Sequence, residues 1–231
     1  MIKYFSHKRN GNYRFDIKES TMGFTPEMYE ERKAASRQRI LESGFRVFSE
    51  KTIDAVNMTE VAKAAGVGVA TVYRHFDSKT ELVVAVSTWV WERFLRKNQS
   101  RIDTDKMTAV EFFEFYLDSF ITLYRDHRDI LRFNQFFNVY VQREDVTLEQ
   151  LAPFSGMVDD LMKRFHICYE KAMVDHTLRT DIPEREMFSK TLHLMLAVVT
   201  RYAVGLVYDT GIDPEEELLF EKELLLRAYR A

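Results

Sequence analysis

The sequence predicts an all-α protein, and three observations carry that prediction. Apolar residues recur at three- and four-residue spacing from Ile40 to Tyr229, which is the period of a helix face. Only eight glycines and four prolines interrupt 231 residues, a low density of breaks that favours long helices over sheets. Helix-start signals recur along the chain at Thr25-Pro26, Asn57-x-x-Glu60, Ser78-x-x-Glu81 and Asp213-Pro214. Each pairs a capping side chain with a first-turn proline or with the acid of a capping box.

Residues 1–24 carry Lys3, Lys8, Arg9, Arg14 and Lys18 against Asp16 and Glu19, without a helical period and with a turn at Gly11-Asn12. They are expected to be a flexible extension, with a basic DNA-touching arm as the other reading. The first helix runs from about Pro26 to Ser49 and presents Ile40, Leu41, Phe45 and Phe48 on one face. Asn57 caps the next helix while Glu60 reaches back to the cap amide. Val61, Ala62 and Ala65 then give that helix a small-residue face that a neighbour can cross closely. Gly66 stops it in the left-handed conformation that a side chain penalises. Val67 plugs the turn, and Gly68 opens a second short helix through Thr71, Val72, Tyr73 and His75. Two short helices meeting at a glycine are the sequence form of a helix-turn-helix. Ser78 and Glu81 start a fourth helix, whose apolar run from Leu82 to Val90 leads into the rest of the chain.

Beyond Met107, Phe112, Phe113, Tyr116, Leu117, Phe120 and Tyr124 form one aromatic stripe, and Ile130, Phe133, Phe136, Phe137 and Tyr140 a second. Pro153 to Gly156 breaks the pattern before a long helix from about Met157 to Leu178. Asp181-Ile182-Pro183 begins another, nearly all apolar from Leu192 to Val199, and Asp213-Pro214 starts the last. The chain therefore reads as about nine or ten helices. They divide into a helix-turn-helix domain over residues 25–86 and a helical domain over residues 87–231.

With the flanking Arg39-Ile40-Leu41, Phe45 and Phe48, and with Tyr-x-x-Phe-Asp-Ser-Lys-Thr-Glu-Leu from Tyr73 to Leu82, the region from about 36 to 86 resembles the N-terminal domain of the tetracycline-repressor (TetR) family. The resemblance implies a homodimer that binds double-stranded operator DNA and releases it when a small molecule enters the C-terminal domain. It makes Gly68 to His75 the recognition helix. Thr71, Tyr73, His75 and Lys79 then meet phosphates, and Val69, Ala70 and Arg74 lie near base edges. Asn57 and Thr59 are counted with the DNA-facing residues. Three positions depart from the family pattern. Gly68 replaces a Ser or Thr cap, Val69 replaces a polar residue, and Thr52 stands where glycine is usual. Arg74 is left as the base reader best suited to a bidentate contact with guanine, with a phosphate contact or a solvated surface position as the other reading. Tyr73 is expected to pack its ring and present its hydroxyl, while Phe76 belongs to the core.

The net charge of −3 looks wrong for a DNA-binding chain, but its distribution does not. Residues 1–88 hold 14 Lys and Arg against 11 Asp and Glu, so the surplus positive charge lies toward the proposed DNA end. A single cysteine, Cys168, excludes an intrachain disulfide and fits a reducing cytoplasm, where it is expected to be a buried small hydrophobe. No apolar run reaches membrane-spanning length, so no membrane partner is expected. No cofactor or metal site is expected either. There is no G-x-S-x-G, H-E-x-x-H or phosphate-cradling glycine loop, so an enzyme is the weaker alternative, beside a helical sensor or scaffold without specific DNA binding. Tyr116, Phe120, Phe133, Phe137, Met162, His166 and Tyr169 are the expected lining of an aromatic ligand cavity, although core packing accounts for each singly. Leu192, Leu196, Val199, Leu218 and Leu225 are the expected dimer contacts, because helices 191–208 and 218–229 look too apolar for one core, with an unusually well filled monomer core as the alternative.

Overall fold

The computed structural model describes residues 25–99, 103–205 and 211–231. Among them are nine α-helices: α1 (Pro26–Glu50), α2 (Met58–Ala65), α3 (Val69–His75), α4 (Lys79–Gln99), α5 (Ala109–Asp126), α6 (Arg128–Arg143), α7 (Ala152–Asp175), α8 (Glu184–Val204) and α9 (Pro214–Tyr229). A short 3-10 turn spans Thr104–Lys106. The expected basic extension, residues 1–24, lies outside the described residues, as does the end of the predicted 191–208 helix beyond Gly205.

The chain divides into two compact units, residues 1–35 and 36–231. In the first, the described part is the start of α1, where Thr25 Oγ1 accepts a hydrogen bond from the Met28 amide at 3.3 Å. That satisfies one of the orphan amides at a helix start. Residues 25–35 are exposed throughout.

In the second unit, α1 buries Ile40, Leu41, Val47 and Phe48, and Gly44 lets α4 come close. A Cβ on Gly44 would lie 3.1 Å from Val86 Cγ2. Phe45 packs edge-on against Trp89 of α4 and Phe133 of α6, and Phe48 stacks on Phe133. The remaining helices form a body in which α5 packs on α6, α7, α8 and α9. Its face of Phe113, Leu117, Phe120, Ile121 and Tyr124 is buried, as the aromatic stripe predicts. The predicted boundary near residue 86 falls inside α4, whose first half belongs to the helix-turn-helix packing and whose second half reaches into the body.

Two helix ends differ from expectation. Pro153 does not break a helix but sits in the first turn of α7, where its missing N–H is not needed, and Gly156 is helical. The same helix stops at Asp175, because His176 turns left-handed at φ 55°. Leu178 beyond it is buried in an isolated bridge to Arg230, where the Arg179 amide donates to the Tyr229 carbonyl at 2.8 Å.

Candidate nucleic-acid interface and ligand cavity

The local sequence folds the helix-turn-helix as its caps dictate. Asn57 Oδ1 accepts from the Glu60 amide at 3.0 Å, and the Glu60 carboxylate accepts from the Asn57 amide at 3.1 Å. The Asn57 amide, and next Lys51 Nζ at 3.1 Å, hold the Glu60 carboxyl below its ordinary range. Gly66 is left-handed at φ 64°, ψ 35°, and its amide donates back to Lys63 while that of Val67 donates to Ala62. This double closure is a Schellman motif. Thr52 does the work of the expected glycine without a positive φ. Its carbonyl and hydroxyl both accept from the Ala55 amide, closing the turn between α1 and α2. At the start of α4 the Ser78 hydroxyl accepts from the Glu81 amide at 3.1 Å, while the Glu81 carboxylate reaches the Asp77 amide rather than that of Ser78. That N-terminus is capped one residue wider than a regular capping box.

Only Val72 of α3 is buried, and Phe76 just after it is core. The opposite edge of α3 carries Val69, 40% exposed, Ala70, Tyr73, 50% exposed, and Arg74. Tyr73 thus presents ring as well as hydroxyl, against the expectation of a packed ring. Arg74 Nη2 lies 3.4 Å from Thr71 Oγ1, and Asn57 and Thr59 are exposed at the start of α2. His75 Nε2 is 2.9 Å from Ser36 Oγ, so this side chain is tied to α1. Lys79 leans on α6, with Nζ 5.8 Å from the Tyr140 ring centre, and burial lowers its pKa. Beside it, Thr80 Oγ1 and Tyr140 Oη are 3.0 Å apart, and Arg143 pairs with Asp54 and Glu144. The carboxyl end of α6 is thereby clamped to the helix-turn-helix.

A cavity of about 160 Å³ lies in the body, between the second half of α4 and helices α5, α6, α7 and α8. Trp91, Phe94, Phe112, Phe115, Tyr116, Phe120 and Phe165 supply its aromatic wall, and Leu161, Leu192 and Leu196 its aliphatic one. Of the residues expected at a ligand site, Tyr116 and Phe120 line this cavity. Phe133 is instead buried against Phe45 and Phe48 of α1, Phe137 is buried against Phe133 and the lining residue Phe154, and Met162 lies outside the lining. His166 is on the exposed face of α7, with Nδ1 2.9 Å from Glu184 and Nε2 3.5 Å from Glu170. The Glu184 hydrogen bond raises its pKa. Tyr169 donates to the carbonyls of Thr180 and Ile182 at 3.0 and 2.8 Å and so fastens the loop before α8. Cys168 is buried against the Ala109 carbonyl and lines the cavity, its thiol pushed up to about 12 by desolvation.

The expected dimer contacts also sort differently. Val199, Leu218 and Leu225 are core residues of the single chain, and Leu192 and Leu196 face the cavity. The exposed apolar residues of these helices are Leu194 and Val204 on α8 and Leu219, Phe220 and Leu224 on α9. The contributions of Trp91, Phe94 and Leu95 to the cavity are readable only as the continuation of the α4 apolar spacing past Val90, and the polar Asn98 carries no such signal.

A solvent-facing second helix on a capped turn, carried by a helical body with a cavity, defines a helix-turn-helix fold with a cavity-bearing helical body. Residues 40–86 match the family model for bacterial regulatory proteins, tetR family. An HTH-type transcriptional regulator of Staphylococcus aureus strain MRSA252 is 30% identical over 97 residues, which are 42% of this chain and 52% of that relative. The chain thus spans about half the length of the curated relatives it matches. The transcriptional regulator FadR of Bacillus subtilis, solved in complex with stearoyl-CoA, shares the fold at a TM-score of 0.66 and 17% identity, over 82% of this chain and 97% of that one. A tetR-family regulatory protein of Rhodococcus RHA1 does so at 0.63 and 20%, over 83% and 95%. No helix among the described residues is long and apolar enough to cross a membrane.

Proposed function

We propose that the protein is a ligand-responsive transcriptional regulator that binds a palindromic operator as a homodimer and is released by a small, largely hydrophobic effector. The observation that carries this reading is the connection between the two ends of the chain. Helix α4 begins beside α3 and ends with Trp91, Phe94, Leu95 and Asn98 in the cavity wall. Helix α6 contributes Asn134 to that wall and clamps Asp54 and Thr80 through Arg143 and Tyr140. An occupant that favours one packing of α4 and α6 therefore changes the angle at which α3 is presented. Two recognition helices then no longer match successive major grooves.

Arg74 is the hydrogen-bonding base reader, Val69 and Ala70 contact thymine methyls, and Thr71, Tyr73, His75, Lys79, Asn57 and Thr59 border the phosphates. Leu194, Val204, Leu219, Phe220 and Leu224 supply the apolar face that a second copy covers. An apolar effector agrees with the aromatic wall and with the stearoyl-CoA held by FadR of Bacillus subtilis. The test is selection of bound sequences from random duplex DNA. The expected product is a palindrome, with Arg74→Ala costing about 1–3 kcal/mol and relaxing one position in each half-site. Enrichment of no palindromic motif would sink the proposal.

A further inference from the structure

We infer that the cavity selects an apolar anion, a ring or short chain ending in a carboxylate, with Arg164 as the group that meets the charge. The inference rests on the cavity being the effector site. Among the polar groups of the wall, Asn98 Nδ2 donates to Ser119 Oγ at 2.7 Å and Ser119 donates to the Phe115 carbonyl at 3.1 Å, so this pair is spent on the protein. Four lining residues keep unused hydrogen-bonding atoms. Trp91 Nε1 and Tyr116 Oη are buried without a partner, and Arg164 and the buried Asn134 make no hydrogen bond or ion pair among the described residues. An indole N–H and a guanidinium only donate, a phenol donates as readily as it accepts, and a carboxamide does both. The unfilled demand is therefore weighted toward acceptors.

Charge points the same way. No Asp or Glu lines the cavity, so a cationic ligand would meet aromatic faces and an arginine but no counter-charge. The acid nearest along the helix, Asp160, is hydrogen-bonded by Lys163 at 2.8 Å, and Arg164 acts on it only through space. Arg164 is half-buried on α7, three residues before Ile167, which at 44% is the most exposed residue of the lining. That position suits a residue whose stem packs on apolar wall while its head meets a charge near water. At about 160 Å³ the space resembles an engineered apolar cavity that admits benzene, so the buried body is about one ring or a short alkyl chain.

Benzoate, hexanoate and octanoate, each matched with the alcohol and the amine of the same skeleton, are titrated by calorimetry into the full chain without DNA. The carboxylates are expected to bind about tenfold tighter than their alcohols and amines. Arg164→Gln should remove that preference and leave the alcohols unchanged, and Arg164→Lys should restore part of it. Equal or tighter binding of alcohols or amines, no binding by any carboxylate, or unaltered carboxylate affinity in a folded Arg164→Gln variant would overturn the inference. Fluorescence anisotropy with the selected duplex separates it from the regulator reading. Carboxylate binding that leaves DNA affinity unchanged keeps the selectivity and refutes the regulation, whereas release by the alcohols alone does the reverse.

Discussion

Replacing Gly66 by alanine tests whether the turn of the helix-turn-helix is fixed by backbone conformation rather than by packing. Gly66 sits at φ 64°, and an added Cβ would meet no atom within 4 Å. Sterics with other residues therefore contribute nothing, and the backbone hydrogen bonds of the turn remain available. The cost left is that of holding an L-residue in the left-handed region, about 1–2 kcal/mol. Gly156 has equally open surroundings, but it lies inside α7 with no positive φ. The same substitution there should stabilise by about 0.4–1 kcal/mol, because alanine restricts the unfolded chain more than glycine does. Urea unfolding of the two variants beside the parent should give midpoints displaced in opposite directions with unchanged slopes. Gly66→Asn should recover part of the loss, since asparagine tolerates the left-handed region. The reasoning fails if both alanine variants move the midpoint the same way, or if Gly66→Ala leaves it in place.

Three other outcomes are expected. Tyr116→Phe removes a buried hydroxyl that has no partner, and since an unsatisfied buried group costs about 1–3 kcal/mol, the ligand-free variant should be at least as stable as the parent; a clear loss in thermal unfolding would show that the hydroxyl is satisfied. His166 should titrate above its ordinary 6.5 by NMR, and Glu184→Gln should return it toward that value. Because the folded pKa is the raised one, the stability this pair adds is fully present below pH 6.5 and is lost as pH rises through the folded value; a His166 titration unmoved by Glu184→Gln contradicts the assignment. Phe220→Ser, at a residue 60% exposed, should weaken self-association in sedimentation without unfolding the chain, whereas Leu218→Ser, at a fully buried neighbour, should unfold it; an unchanged dimer in the Phe220 variant excludes this face.

Which features could be read in advance follows from how locally each is determined. The caps at Asn57, Ser78 and Asp213 and the stop at Gly66 depend on a few consecutive residues, so sequence suffices to place them within a residue or so. Thr108 and Glu111 form an equally readable capping box that the Met107 start passes over. The α7 ends were less legible because proline has two opposite meanings. It terminates a helix from within and initiates one from the first turn, and Pro153 does the second.

The division of apolar residues among core, cavity and outer face is a different kind of quantity. Periodicity shows that α8 has more apolar surface than one face needs, but its faces are distinguished only by what lies opposite them. Leu192 and Leu196 meet the cavity, Met195 and Val199 meet the core, and Leu194 meets solvent, all within two turns. The same logic moves Phe133 from the ligand wall to the packing beneath Phe45 and Phe48. That reassignment strengthens the link between the helix-turn-helix packing and the cavity. Phe133 lies beside Asn134 on α6, so consecutive residues of one helix touch the helix-turn-helix packing and the cavity wall. A shift of α6 that accommodates an occupant at Asn134 must therefore be felt at Phe45 and Phe48, because a close-packed core transmits displacement rather than absorbing it.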